Sequence, residues 1–186
     1  SERQDLTQEE MTDAMQIITS GQTNDVQIAS FITALKMKGE TSDEIAAAAK
    51  VMREKTVKIK VDSDVILDTC GTGGDGLNTF NVSTATAIVC AAAGIKVAKH
   101  GNRAFTSKCG SADVLQAAGI NIEIHPEKVK KSVEEINIGF IFSPNYHPAM
   151  KYAMPARKEV GIRTIFNILG PIINPAGNTH HLMGVP

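Results

Sequence analysis

Val65-Ile-Leu-Asp-Thr-Cys-Gly-Thr-Gly-Gly-Asp-Gly76 decides how the chain is read. Val65 to Leu67 is a short apolar run, which predicts a buried strand. It passes directly into a cluster of Gly71, Gly73, Gly74 and Gly76. Beyond it, the Ala-, Thr- and Val-rich stretch from about Ser83 to Ala93 predicts a helix, and Gly94 stops it. Outward from this unit the alternation continues. Ile95 to Ala98 predicts a strand, followed by a polar loop. Ser111 to Ala118 and Pro126 to Ile136 predict helices, and Ile138 to Phe142 a third strand. Such alternation implies an α/β domain with a mainly parallel sheet. Ligands of these sheets bind outside the carboxyl ends of the strands, where both polar, glycine-bearing loops fall.

The residues before this domain follow a different pattern. Thr7-x-x-Glu10 is a capping box and Gly21 a stop. Thr23 or Asn24 caps a second helix, whose Ile28, Phe31, Ile32 and Leu35 share one face before Gly39 ends it. Thr41-x-x-Glu44 opens a third, with Ile45, Ala48, Ala49 and Met52 facing inward. These short amphipathic helices carry no chemistry and read as a packing or dimerisation unit. The expected organisation is a small helical domain over 1–62, to which helices near 157–176 return. An incomplete α/β domain takes 63–156 and 177–186.

The 186 residues carry a net charge of −1, with 42% hydrophobic and 21% charged residues, an ordinary globular composition. A near-neutral chain is a poor candidate for a general nucleic-acid binder. No apolar run is long enough to span a bilayer, and the polar start SERQDLTQEE is not a signal peptide. A cytoplasmic protein is expected. Cys70, Cys90 and Cys109 contain no CxxC pair, so they define neither a disulfide framework nor a zinc site and are expected to be small buried residues. His180 and His181 read as loop or strand.

Two loops carry chemistry. Glycines let backbone amides approach phosphate with no side chain intervening. The first loop is neither a Walker sequence, lacking Gly-Lys-Ser/Thr, nor a GxGxxG dinucleotide site. Asn81-Val-Ser-Thr84 stands at the start of the following helix, where caps and anion ligands are the same groups. The second loop, Lys99-His-Gly-Asn-Arg-Ala-Phe-Thr-Ser-Lys108, brings the cations Lys99, Arg103 and Lys108. Beside the glycine loop they would balance a highly phosphorylated substrate, with His100 and Asn102 orienting an uncharged group. A substrate with two separated phosphate groups fits. Phosphoribosyl pyrophosphate is one such compound, and a nucleotide is the rival.

Several stretches together resemble the anthranilate phosphoribosyltransferase family. They are Gly71-Thr-Gly-Gly-Asp-Gly76, Thr79-Phe-Asn-Val-Ser-Thr-Ala85, Lys99-His-Gly-Asn-Arg103, Lys108-Cys-Gly-Ser-Ala-Asp113, Met154-Pro-Ala-Arg157 and Arg163-Thr-Ile-Phe-Asn-Ile-Leu-Gly-Pro171 through Asn174-Pro175. The resemblance implies a nucleoside phosphorylase/phosphoribosyltransferase-like fold, a site between the two domains, and a homodimer through the helical one. It implies tryptophan biosynthesis, with the phosphoribosyl group moved to the amine of anthranilate. By its pattern, phosphoribosyl pyrophosphate is held by Gly71, Gly74, Asp75, Thr79, Asn81, Val82, Ser83, Thr84, Lys99, His100, Gly101, Asn102, Arg103, Ala104, Phe105, Thr106, Ser107 and Ser111. Gly71, Asn102 and Arg157 match the anthranilate ligands, and Ser83 the Mg2+ ligand. No general base stands out, in keeping with catalysis by positioning and electrostatics.

The resemblance also implies more chain. Family members continue well past Pro186, with further strands and an Asp-Glu pair that binds Mg2+. Asp43-Glu44 lies in the third helix and is not that pair. This chain reads as the N-terminal half, expected to bind substrate weakly and turn over poorly. Three rivals are a pyrimidine nucleoside phosphorylase-like protein, a non-catalytic nucleic-acid-binding relative, and an inactive fragment. Lys99-His-Gly-Asn-Arg103 and Arg157 favour the anthranilate reading.

Overall fold

The computed structural model describes residues 3–73, 80–104 and 109–185. The chain forms two compact units, one of Ser1–Thr56 with His147–Ile173 and one of Val57–Tyr146 with Asn174–Pro186.

The first unit is helical. It opens with α1 (Gln8–Ser20), α2 (Asp25–Lys38) and α3 (Ser42–Glu54), and each begins with a closed capping box: Thr7 with Glu10, Asn24 with Gln27, Thr41 with Glu44. These pairs satisfy amide groups that a helix start leaves without partners. Of the two residues proposed to cap α2, Asn24 accepts the Gln27 amide, while the Thr23 hydroxyl bonds the Gln27 side chain. The inward faces are those the periodicity predicts, except that Phe31 and Ile45 are only partly buried.

The second unit holds β1 (Leu67–Asp68), α4 (Val82–Ala92), β2 (Val97–Gly101), α5 (Ser111–Ala117), α6 (Pro126–Ile136), β3 (Ile138–Phe142) and α7 (Ser143–Tyr146). The chain then returns to the helical unit as a 3-10 helix (Pro148–Tyr152), α8 (Met154–Val160) and α9 (Ile165–Ile172), and ends in the second unit with β4 (His180–His181). Ala153, Ala156, Ile165, Phe166, Leu169 and Ile173 of the return segment share one apolar core with α1–α3. The unit boundaries therefore fall after Thr56, Tyr146 and Ile173, whereas the sequence pattern put them at 62, 156 and 176. Ile59 and Val61 account for the first difference, because both are buried in the core of the α/β unit with Ala98 and Ile141.

The sheet is parallel, in the order β3-β2-β1-β4. β2 is central and buried at every position. Lys99, His100 and Gly101, read from sequence as the start of a loop, are strand residues paired with Phe140, Ile141 and Phe142. Their polarity hides a strand that the β3 ladder imposes. Among the described residues no helix is long and apolar enough to cross a membrane.

Candidate functional site

β1 and β2 are neighbouring parallel strands, so the loops that follow them leave from the same end of the sheet. The described part of the first loop is held on several sides. The Thr69 hydroxyl donates to the Ser83 carbonyl at 2.7 Å, tying the loop to the start of α4. The Thr72 amide donates to the Gly184 carbonyl at 3.1 Å, and His181 Nε2 lies 2.6 Å from the Cys70 carbonyl. Gly71 is required by this approach: a Cβ there would sit 2.7 Å from the Gly184 carbonyl oxygen. Burial pushes the Cys70 thiol up to about 12, so it is protonated and no nucleophile. Cys70 and Cys90 are half-buried, and Cys109 is exposed rather than buried as expected.

At the start of α4, Asn81 Oδ1 accepts from the Thr84 amide at 3.2 Å, the Thr84 hydroxyl at 2.6 Å and the Ser83 hydroxyl at 3.3 Å. Asn81 and Thr84 are thus engaged in capping. Val82 is exposed and Ser83 half-buried, while the Val82 amide donates to the Phe80 carbonyl at 2.7 Å. A hard hydroxyl oxygen such as that of Ser83 fits one position of a Mg2+ shell completed by phosphate and water. Among the described residues no group of three His, Cys, Asp or Glu side chains forms a metal cage.

The second loop sorts its cations. Lys99 is 2% exposed, and its ammonium reaches the His100 carbonyl at 3.4 Å. Burial lowers its pKa, which the nearby charge of Asp68 opposes. Arg103 turns to α5 instead. Its Nη1 lies 2.7 Å from Gln116 Oε1 and 3.5 Å from Asp113 Oδ1, and its guanidinium is 5.6 Å from the Phe142 ring centre. Asn102 is exposed, and its carbonyl accepts from the Ala112 amide at 3.1 Å and the buried Ser111 hydroxyl at 3.4 Å. Asp113 Oδ2 accepts from the amides of Ala104 at 2.9 Å and Gly110 at 2.8 Å, which hold its carboxyl below the usual range. Asp113 therefore closes the base of this loop. Gly74, Asp75, Thr79, Phe105, Thr106 and Ser107 lie outside the described residues.

Arg157 belongs to the helical unit, on α8. Its guanidinium lies 5.2 Å from the Phe166 ring centre, with Nη1 3.5 Å from Met154 Sδ. Burial pushes its pKa down to about 10, so it remains a cation at neutral pH, in surroundings that solvate it poorly. Such a guanidinium gains from an incoming carboxylate. Asp68, Asp113 and Asn174 hold these loops together although no sequence pattern gives them a role. Of the three, Asp68 alone is conspicuous in sequence, as a charge ending an apolar strand.

Two family profiles match this chain. One is described as "Glycosyl transferase family, a/b domain" and covers residues 63–186; the other, "Glycosyl transferase family, helical bundle domain", covers 1–56. An anthranilate phosphoribosyltransferase of Geobacter sp. is 54% identical over 99% of this chain and 56% of its own length. That of Persephonella marina is 54% identical over 100% of this chain and 55% of its own. The crystal structure of the Thermus thermophilus enzyme superposes with a TM-score of 0.92 at 45% identity, covering 98% of this chain and 56% of that one. The Saccharomyces cerevisiae enzyme in complex with PRPP and Mg gives 0.88 at 35% identity, covering 97% of this chain and 54% of that one. The chain spans about half the length of the curated relatives it matches. Matched by a helical-bundle profile and an α/β profile in the order its two units require, the chain belongs to the glycosyl transferase family.

Proposed function

We propose that this chain carries the substrate loops of an anthranilate phosphoribosyltransferase of tryptophan biosynthesis, working in the cytoplasm. The reaction moves the phosphoribosyl group of phosphoribosyl pyrophosphate to the amine of anthranilate and releases pyrophosphate. The observation that carries the reading is the pair of polar loops leaving adjacent parallel strands β1 and β2, one tied through Thr69 to the start of α4. Backbone amides of the glycine loop suit phosphate oxygens. The buried Lys99 ammonium supplies a positive charge within β2.

The chemistry needs little proton transfer. Positive charge develops on the ribose as negative charge grows on the departing pyrophosphate, so fixed cations and amides lower the barrier by electrostatics. Bound Mg2+, with Ser83 among its ligands, would neutralise the leaving pyrophosphate. Arg157 would hold the anthranilate carboxylate and Asn102 its amine-bearing edge, so that the amine lies in line with the anomeric carbon. The relatives named above support this reading over a nucleoside phosphorylase.

Isothermal titration of the chain with phosphoribosyl pyrophosphate and Mg2+, followed by anthranilate, tests it. Saturable binding of both is expected, with anthranilate heat appearing only after the first ligand is bound. Absence of any heat with phosphoribosyl pyrophosphate at millimolar concentration would sink the reading. The helical unit is also proposed to form the homodimer. α2 and the N-terminal segment form a groove of about 470 Å³ lined by Arg3, Ala29, Ser30, Thr33, Ala34, Met37 and Lys38, with Val26 75% and Met37 73% exposed. A solution mass of two chains is expected by light scattering, and a single chain at high concentration would refute it.

A further inference from the structure

Asp68 ties three separate segments of the α/β unit together. It ends β1, is 0% exposed, and has no role in the substrate contacts proposed above. One carboxylate oxygen, Oδ1, accepts from the Cys70 amide at 3.0 Å and from the His100 amide at 3.1 Å. The other, Oδ2, accepts from Asn174 Nδ2 at 2.7 Å. Asn174 is 7% exposed and is itself fixed: Nδ2 also donates to the Ala98 carbonyl at 2.8 Å, and Oδ1 accepts from the Ala176 amide at 2.8 Å. One carboxylate thus gathers the glycine loop, the end of β2 and the segment entering β4.

Every one of these partners is a donor, which is the arrangement an ionised carboxylate needs. Burial raises the pKa of Asp68, while the Asn174 amide, the charges of Lys99 and His181 and the His100 amide hold it down. A buried carboxylate is retained only where such partners compensate its desolvation. An apolar residue at this position would fill the space but leave the Cys70 and His100 amides without their acceptor.

We propose that Asp68 is a positioning residue. Through Oδ1 it sets the first turn of the glycine loop against the end of β2, and Asn174 locks the carboxylate in the rotamer that does so. The proposal rests on the reading that these two loops bind phosphoribosyl pyrophosphate. Asp68 touches no substrate in it. It fixes the distance between backbone amides on one side and Lys99 and His100 on the other.

The test uses the whole chain, labelled with nitrogen-15, and the variants Asp68→Ala and Asn174→Ala. Amide exchange and amide proton shifts at Cys70 and His100 are measured alongside titration with phosphoribosyl pyrophosphate and Mg2+. Loss of a charge-assisted acceptor predicts exchange about tenfold faster or more at these two amides in Asp68→Ala, with an upfield shift of both protons. Exchange in α1–α3 stays as in the unmodified chain, and affinity for phosphoribosyl pyrophosphate falls about tenfold or more. Asn174→Ala gives the same pattern with a smaller amplitude, and decides the matter if Asp68→Ala does not fold. Unchanged exchange and shifts at Cys70 and His100 would overturn the positioning role. An unmodified chain that shows these amides protected but binds no phosphoribosyl pyrophosphate would overturn the substrate reading and leave the role in shaping the loop standing.

Discussion

Replacing Arg157 by alanine is expected to weaken anthranilate binding by about ten- to a hundredfold, and to change phosphoribosyl pyrophosphate affinity by less than about threefold. The asymmetry follows from the side chain's surroundings. Arg157 is half-buried and packs over Phe166, and burial has pushed its pKa down to about 10. A benzoate-type carboxylate meets a planar fork matched to its two oxygens. Arg157→Lys keeps the charge but not the fork, and is expected to fall between the two. A melting curve separates binding from folding, since the loss of the Arg157–Phe166 contact itself costs only about 0.5–1 kcal/mol. Equal losses for both ligands would refute the assignment of Arg157 to anthranilate.

The second large effect is a pH dependence of stability centred on His147. The ring is 2% exposed in the helical unit, and Nδ1 lies 3.0 Å from the Thr56 hydroxyl oxygen. That hydroxyl spends its one proton on the Met52 carbonyl at 2.7 Å, so Nδ1 is the protonated nitrogen of a neutral ring. Burial pushes the pKa from 6.5 down to about 4. Between these values the unfolded chain binds a proton that the folded chain refuses. The contribution of neutral His147 is therefore fully present above pH 6.5 and is lost as pH falls towards 4. At about 1.4 kcal/mol per pH unit, the window amounts to roughly 3 kcal/mol. Urea unfolding at pH 7.5, 6 and 4.5 is expected to show this decline, and His147→Gln to flatten it. A variant as steep as the unmodified chain would show that other groups govern the acid limb.

Much of the fold was legible because much of it is local. The capping boxes of α1 and α3 each close within three residues, so Thr7 with Glu10 and Thr41 with Glu44 announce themselves. Pro126 starts α6 where its missing amide does no harm, and the prediction of 126–136 and of the strand 138–142 matches residue for residue. The candidate site was half legible. Its loops were visible as glycine and cation clusters, but their division of labour was not. Arg103 looked equivalent to Lys99, yet one is taken up by Gln116 and Asp113 and the other is buried in the middle of β2.

By itself the sequence determined the starts of α1, α3 and α6 and the alternation that makes the sheet parallel, because each depends on residues a few positions apart. Only the tertiary structure decided that β2 runs on through Lys99-His100-Gly101, that β4 lies beside β1, and that Asp68 meets Asn174 across 106 residues of chain. Those facts depend on which strand pairs with which and on which polar atoms burial forces together. No local pattern encodes a hydrogen bond whose partners become neighbours only when the sheet closes.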